Sequence, residues 1–104
     1  MRHYRCIPAY QTSKAGIIGL TRDLAQQWGT RKGIRVNALA PGFFRTEMTD
    51  EYQPGYLDTM KSRIILGRTG DPAEIAATAV WLVSEAAAYV TGQTIAVDGG
   101  LTIN

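Results

Sequence analysis

The sequence predicts an α/β fold built on parallel strands, and three observations carry that prediction. Helical and strand patterns follow one another as helix, strand, long excursion, helix, strand. Both strand patterns are short and stop at glycine, at Pro41-Gly42 and at Asp98-Gly99-Gly100. Between them runs a long crossover containing a helix, which is the connection parallel strands require.

Each element has a local cause. Residues 1–9 show no period, and Pro8 favours an extended or turn conformation there. From Tyr10 the pattern turns helical, with Ile17, Leu20, Leu24 and Trp28 recurring at spacings of three and four on one stripe. A helix is therefore predicted over 10–29, ending in the region of Gly29 and Gly33. Ile34 to Ala40 reads as a strand closed by Pro41-Gly42, giving a strand and loop over 34–42. Asn37 within it needs hydrogen-bond partners, and its side chain suits tying neighbouring loops together. Residues 43–70 form a mixed excursion with a strong turn at Gln53-Pro54-Gly55-Tyr56 and one or two short helices. A helix over 71–88 starts on Asp71 as cap, Pro72 in the first turn and Glu74 reaching back. The last strand is predicted over 93–98.

Two strands alone cannot make a sheet covered on both faces, and parallel sheets are buried structures. The pattern thus places further strands before residue 1 and leaves apolar faces of both helices exposed in these residues alone. An isolated chain of this kind is expected to aggregate or to be partly ordered.

Composition narrows the function classes. The 104 residues hold 45% hydrophobic and 19% charged side chains, a globular balance for one small domain. Eleven basic against nine acidic residues leave +2, too small a surplus to argue for nucleic acid or a membrane surface. No apolar stretch reaches the roughly 20 residues that span a bilayer. Cys6 is the only cysteine, so no internal disulfide forms, which fits a reducing cytoplasm. Cys6 and His3 have no partner ligands in the pattern, and no metal site is expected.

The chemistry centres on Tyr10-Gln11-Thr12-Ser13-Lys14. At this spacing Tyr10 and Lys14 share a helix face one turn apart. An ammonium near a phenol favours phenolate and lowers its pKa from about 10, which brings the tyrosine within reach of acid/base work. Taken alone, the spacing more often marks a solvated helix face. Trp28 and Trp81 read as packing groups, and Arg22, Arg31, Lys32 and Arg35 as a loose basic surface or a docking patch.

Four blocks together are more specific. Tyr10 to Gly16, Arg35-Val36-Asn37-Ala38-Leu39-Ala40-Pro41-Gly42, Thr46 and Asp98-Gly99-Gly100 resemble, in order and spacing, the short-chain dehydrogenase/reductase family. The resemblance covers residues 8–102, and the chain is similar to the C-terminal portion of 3-oxoacyl-acyl-carrier-protein reductases and of sugar-acid or polyol dehydrogenases. It implies the C-terminal part of a doubly wound Rossmann-type sheet, with the N-terminal half missing. It implies NAD or NADP as cofactor, undistinguished by these residues, and hydride exchange with a small carbonyl or alcohol substrate. Tyr10 is implied as the acid/base and as a cofactor contact, and Lys14 as its partner and a ligand of the nicotinamide ribose. Pro41, Gly42, Phe43 and Thr46 are implied to line the cofactor. Residues 47–66 match the variable loop over substrate. The helix over 10–28, with Gly16, Gly19 and Ala25, is implied as a homo-oligomer contact. The family's glycine-rich phosphate loop and catalytic serine fall before Met1, so the isolated chain is expected to be inactive. A different expectation is a non-catalytic truncated remnant that associates with a full-length homologue.

Overall fold

The computed structural model describes residues 3–44 and 55–103, the side chains of 3–11, 56 and 57 excepted. In order the elements are helix α1 (His3–Lys32), strand β1 (Ala38–Pro41), helix α2 (Tyr56–Arg63), helix α3 (Pro72–Val83) and strand β2 (Thr94–Val97). Short 3-10 turns occupy Glu85–Ala87 and Leu101–Ile103. β1 and β2 pair in a two-stranded sheet. The Ala38 N–H donates to the Gln93 carbonyl and the Gly42 N–H to the Val97 carbonyl, both at 2.9 Å, so the strands advance together and are parallel. The fold is the α/β class with parallel strands. Contacts divide the chain into two units, residues 1–38 with 88–95, and residues 39–87 with 96–104.

In the first unit α1 begins at His3, not at Tyr10. Pro8 lies inside the helix because its fixed backbone angle is already helical. Pro8 is the sixth residue of α1, beyond the four whose N–H groups are unpaired in any helix, so it forgoes the bond that a backbone N–H would make to the Tyr4 carbonyl. At the other end Gly33 takes a φ of 65°. Its N–H bonds the Gly29 carbonyl at 2.9 Å and the Ile34 N–H bonds the Trp28 carbonyl at 3.2 Å, a closure that needs a left-handed residue. Arg31 and Lys32 sit in the last turn, where cations oppose the helix dipole.

The strand expected from Ile34 is shorter than predicted and starts at Ala38. Side chains and single backbone bonds take the place of a ladder before it. Val36 N–H donates to the Thr91 hydroxyl, and Arg35 Nη1 and Asn37 Nδ2 both donate to the Val90 carbonyl. The Asn37 side-chain Oδ1 accepts from Gln93 N–H at 3.1 Å. Asn37 thus stitches two loops, and Arg35 is a tether more than a surface charge. Among the described side chains of α1, Thr21 and Ala25 are buried. Thr21 satisfies its hydroxyl on the Ile17 carbonyl at 2.7 Å.

In the second unit Ile64, Leu82 and Ala87 are buried. α3 starts as the sequence indicates. Asp71 Oδ1 accepts from Ala73 N–H at 3.0 Å, and Glu74 Oε1 accepts from Asp71 N–H at 2.8 Å. α3 ends at Val83 rather than near residue 88, because the Ser84 hydroxyl and N–H both turn back to the Trp81 carbonyl. β2 is likewise one residue shorter at each end than the 93–98 predicted.

The expected apolar exposure is present. Ile17 and Leu20 on α1 are 54% and 56% exposed, and Val80 and Val83 on α3 are 65% and 82% exposed. Trp81, expected to pack, is 40% exposed. Trp28 is half-buried, with the Lys32 ammonium 5.6 Å from its ring centre.

The start of α3 carries a pH prediction. Arg68 grips both Glu74 carboxylate oxygens, at 2.8 and 3.0 Å. That grip, with the Asp71 N–H, lowers the Glu74 pKa from 4.5 to about 2. A depressed carboxylate stabilises the folded state above its ordinary pKa, and the contribution fades as pH falls from 4.5 through about 2. The side-chain carboxyl NMR signal of Glu74 is expected to titrate near the lower value, and to move up in Arg68→Ala. A midpoint at the ordinary value in the unaltered chain contradicts the grip.

Candidate active site

Tyr10 and Lys14 lie on the continuous backbone of α1 in the first unit, one helical turn apart. Lys14 is exposed, whereas the Tyr10 side chain lies outside the described residues. On the same unit an open groove of about 350 Å³ is lined by Arg22, Ala25 and Gln26 of α1 and by Thr91, Gly92 and Gln93. Among the predicted site residues whose side chains are described, Lys14, Pro41, Gly42 and Phe43, none lines it.

Pro41, Gly42 and Phe43 belong to the second unit. They form the carboxyl end of β1 and the turn that leaves it. In a parallel sheet this is the end at which ligands are held. Pro41 is exposed, and Gly42 and Phe43 are half-buried. Thr46 and residues 47–54 of the expected substrate loop lie outside the described residues.

Gly42 has a reason the sequence did not reveal. A Cβ at this position would lie 2.7 Å from both Cα and Cβ of Asp98, at the carboxyl end of β2. The two strand ends approach too closely for any side chain. Asp98 is itself fixed: its carboxylate accepts the Thr102 hydroxyl at 2.7 Å, the Gly100 N–H at 2.9 Å and the Thr102 N–H at 3.2 Å. The Thr102 hydroxyl first, then the Gly100 N–H, hold its carboxyl below the usual carboxylate range. Gly99 and Gly100 follow with φ of 64° and 94°, and side-chain atoms of Ile64 and Ile65 fill the space beside them. Asp98-Gly99-Gly100 is therefore a turn that braces the strand end. Sequence reasoning recognised the turn and missed its contact with Gly42, because 56 positions separate the two residues (98 less 42).

The family model described as enoyl-(acyl carrier protein) reductase matches residues 1–102. The chain belongs to the short-chain dehydrogenase/reductase family. Among relatives, it is 50% identical over 97 residues to a galactitol 2-dehydrogenase (L-tagatose-forming) from Cereibacter sphaeroides, covering 91% of this chain and 38% of that protein. It is 49% identical over 94 residues to a 3-oxoacyl-acyl-carrier-protein reductase from Thermotoga maritima, covering 90% of this chain and 38% of that protein. Among solved structures, a 4-hydroxyisoleucine dehydrogenase complexed with NADH superposes with a TM-score of 0.85 at 37% identity, covering 93% of this chain and 40% of that one. The chain thus spans about 38% of the length of the curated relatives it matches. These matches fit the α/β class and the C-terminal portion of this dehydrogenase family. No described helix is long and apolar enough to cross a membrane.

Proposed function

We propose that these residues form the reacting end of an NAD(P)-dependent oxidoreductase that interconverts a small carbonyl compound and its alcohol. The observation that carries this is the Tyr10-x-x-x-Lys14 pair on an unbroken helix of a short-chain dehydrogenase/reductase chain. A nicotinamide nucleotide fits the second unit: Pro41 to Phe43 leave the carboxyl end of a parallel strand, with Pro41 open to solvent. Pro41, Gly42, Phe43 and Thr46 would line that nucleotide, and Lys14 would hydrogen-bond its ribose. When bound, the cofactor supplies or accepts the hydride.

The chain's own part is proton transfer and positioning. The Tyr10 phenol gives its proton to the substrate oxygen during reduction and takes it back during oxidation. The Lys14 ammonium favours the phenolate that remains. Substrate choice falls to the stretch from Glu47 to Leu66, and α1 over 10–28 is the contact between copies.

No glycine-rich G-x-x-x-G-x-G loop stands in the 104 residues, so the pyrophosphate has no cradle here. The isolated chain accordingly turns over no substrate, and phosphates and adenine add nothing to binding. Reduced nicotinamide mononucleotide is therefore expected to bind as well as NADH, weakly in both cases. Saturation-transfer NMR at micromolar chain measures this. NADH binding at least tenfold tighter than the mononucleotide contradicts the missing cradle, and absence of both signals contradicts the nicotinamide site.

The open apolar residues Ile17 and Leu20 favour a second reading, a non-catalytic remnant docked through α1 on a full-length homologue. The coding sequence just upstream of Met1 separates the two. An in-frame segment with a glycine-rich loop supports the enzyme, and stop codons support the remnant.

A further inference from the structure

We propose that Gly70 is a positioning residue for the nicotinamide wall, acting through Phe44. The inference rests on the reading of Pro41 to Phe43 as that wall. Phe44 and Gly70 form a parallel backbone bridge, and the Gly70 N–H donates to the Phe43 carbonyl at 2.8 Å. A Cβ on Gly70 would lie 2.5 Å from Cε1, 2.7 Å from Cδ1 and 3.0 Å from Cζ of Phe44. The aromatic ring occupies the place where a side chain would start. Gly70 is not among the glycines with positive φ, so its backbone suits any residue and space alone excludes one.

Which partner gives way follows from what holds the Gly70 segment. Just beyond Gly70, the Asp71 N–H is held by Glu74. Two residues before it, Arg68 holds that same carboxylate through two nitrogens and also donates to the Thr69 carbonyl. The 68–74 segment is tied on both sides of Gly70 by these bonds, and Phe44 is joined to it through the Phe43 carbonyl and the backbone bridge. A side chain at 70 therefore displaces Phe44 and, with it, the Phe43–Phe44 backbone. Gly42 fixes the same stretch two residues earlier, against Asp98. The turn leaving β1 is held at two points, and Gly70 is the one remote in sequence from the cofactor motif.

The test uses reduced nicotinamide mononucleotide as probe and the 104-residue chain as protein. Gly70→Ala is expected to weaken probe binding about fivefold or more, since a displaced wall must be reordered on binding. Amide exchange at residue 70 is expected to accelerate. Gly67→Ala is the control: Gly67 has a φ of 73° and open space around it, so the change strains the backbone and leaves probe affinity unchanged. If Gly70→Ala does not fold, Phe44→Ala with Gly70 intact asks the same question and is expected to weaken binding. Probe binding by the unaltered chain that either variant leaves within about twofold overturns this inference alone. No binding by the unaltered chain overturns the functional reading and the inference together.

Discussion

Gly42→Ala is expected to lower folding stability by about 2–3 kcal/mol, the upper range for forcing atoms into filled space. The contact is with backbone: Asp98 Cα would lie 2.7 Å from the new methyl carbon. A flexible side chain could swing aside, but Asp98 cannot. Its carboxylate is bound to Thr102 and Gly100, and the Gly42 N–H is itself bonded to the Val97 carbonyl at 2.9 Å. Relief thus requires the carboxyl ends of β1 and β2 to part. Gly29→Ala provides the contrast. Gly29 lies in α1, and a methyl group added there would meet nothing within 4 Å, so alanine is expected to stabilise by about 0.5–1 kcal/mol. Urea midpoints read by far-UV circular dichroism check both. A Gly42→Ala midpoint equal to that of the unaltered chain contradicts the close approach.

The second large effect is on chemistry. Tyr10→Phe keeps the ring and removes the only proton the mechanism uses. Loss of a positioned acid or base slows a reaction by about 10²–10⁴-fold. The effect should fall on kcat rather than on KM for cofactor, because the phenol acts at the substrate oxygen. Lys14→Met should do both, raising KM for the nicotinamide nucleotide and shifting the pH profile of kcat upward. The measurement needs a protein with a complete phosphate site. The Thermotoga maritima reductase, of which the match covers 38%, keeps the rest of its own chain when that stretch is replaced by residues 1–104.

What was legible in the sequence is what local chemistry determines. The start of α3 was readable because Asp71, Pro72 and Glu74 act within one turn, and the structure places their hydrogen bonds accordingly. The end of α1 was readable from Gly33, whose left-handed backbone closes the helix. The start of α1 was not. Pro8 usually ends a helical pattern, yet its backbone angle permits helix, and α1 runs through it with one hydrogen bond forgone. Ile34 to Asn37 looked like strand because Ile and Val alternate there. Their partners are the side chains and loop backbone of residues 90–93, which a linear reading does not supply. For the site, the Tyr10 and Lys14 spacing alone reads as a solvated helix face, and the family resemblance of four separate blocks is what singled the pair out. Gly42 was found through the family resemblance, but its contact with Asp98 was not. The roles of Gly70 and Phe44 were invisible, since a glycine under an aromatic ring leaves no mark on either residue's neighbours.

If residues 1–104 supply the reacting end of a nicotinamide oxidoreductase, they must support hydride transfer once the rest of the fold is present. In the Thermotoga maritima reductase carrying residues 1–104, carbonyl-dependent oxidation of NAD(P)H is followed at saturating cofactor. The expected result is turnover that Tyr10→Phe reduces about 10²–10⁴-fold. A folded, cofactor-binding Tyr10→Phe protein that turns over equally well contradicts the claim.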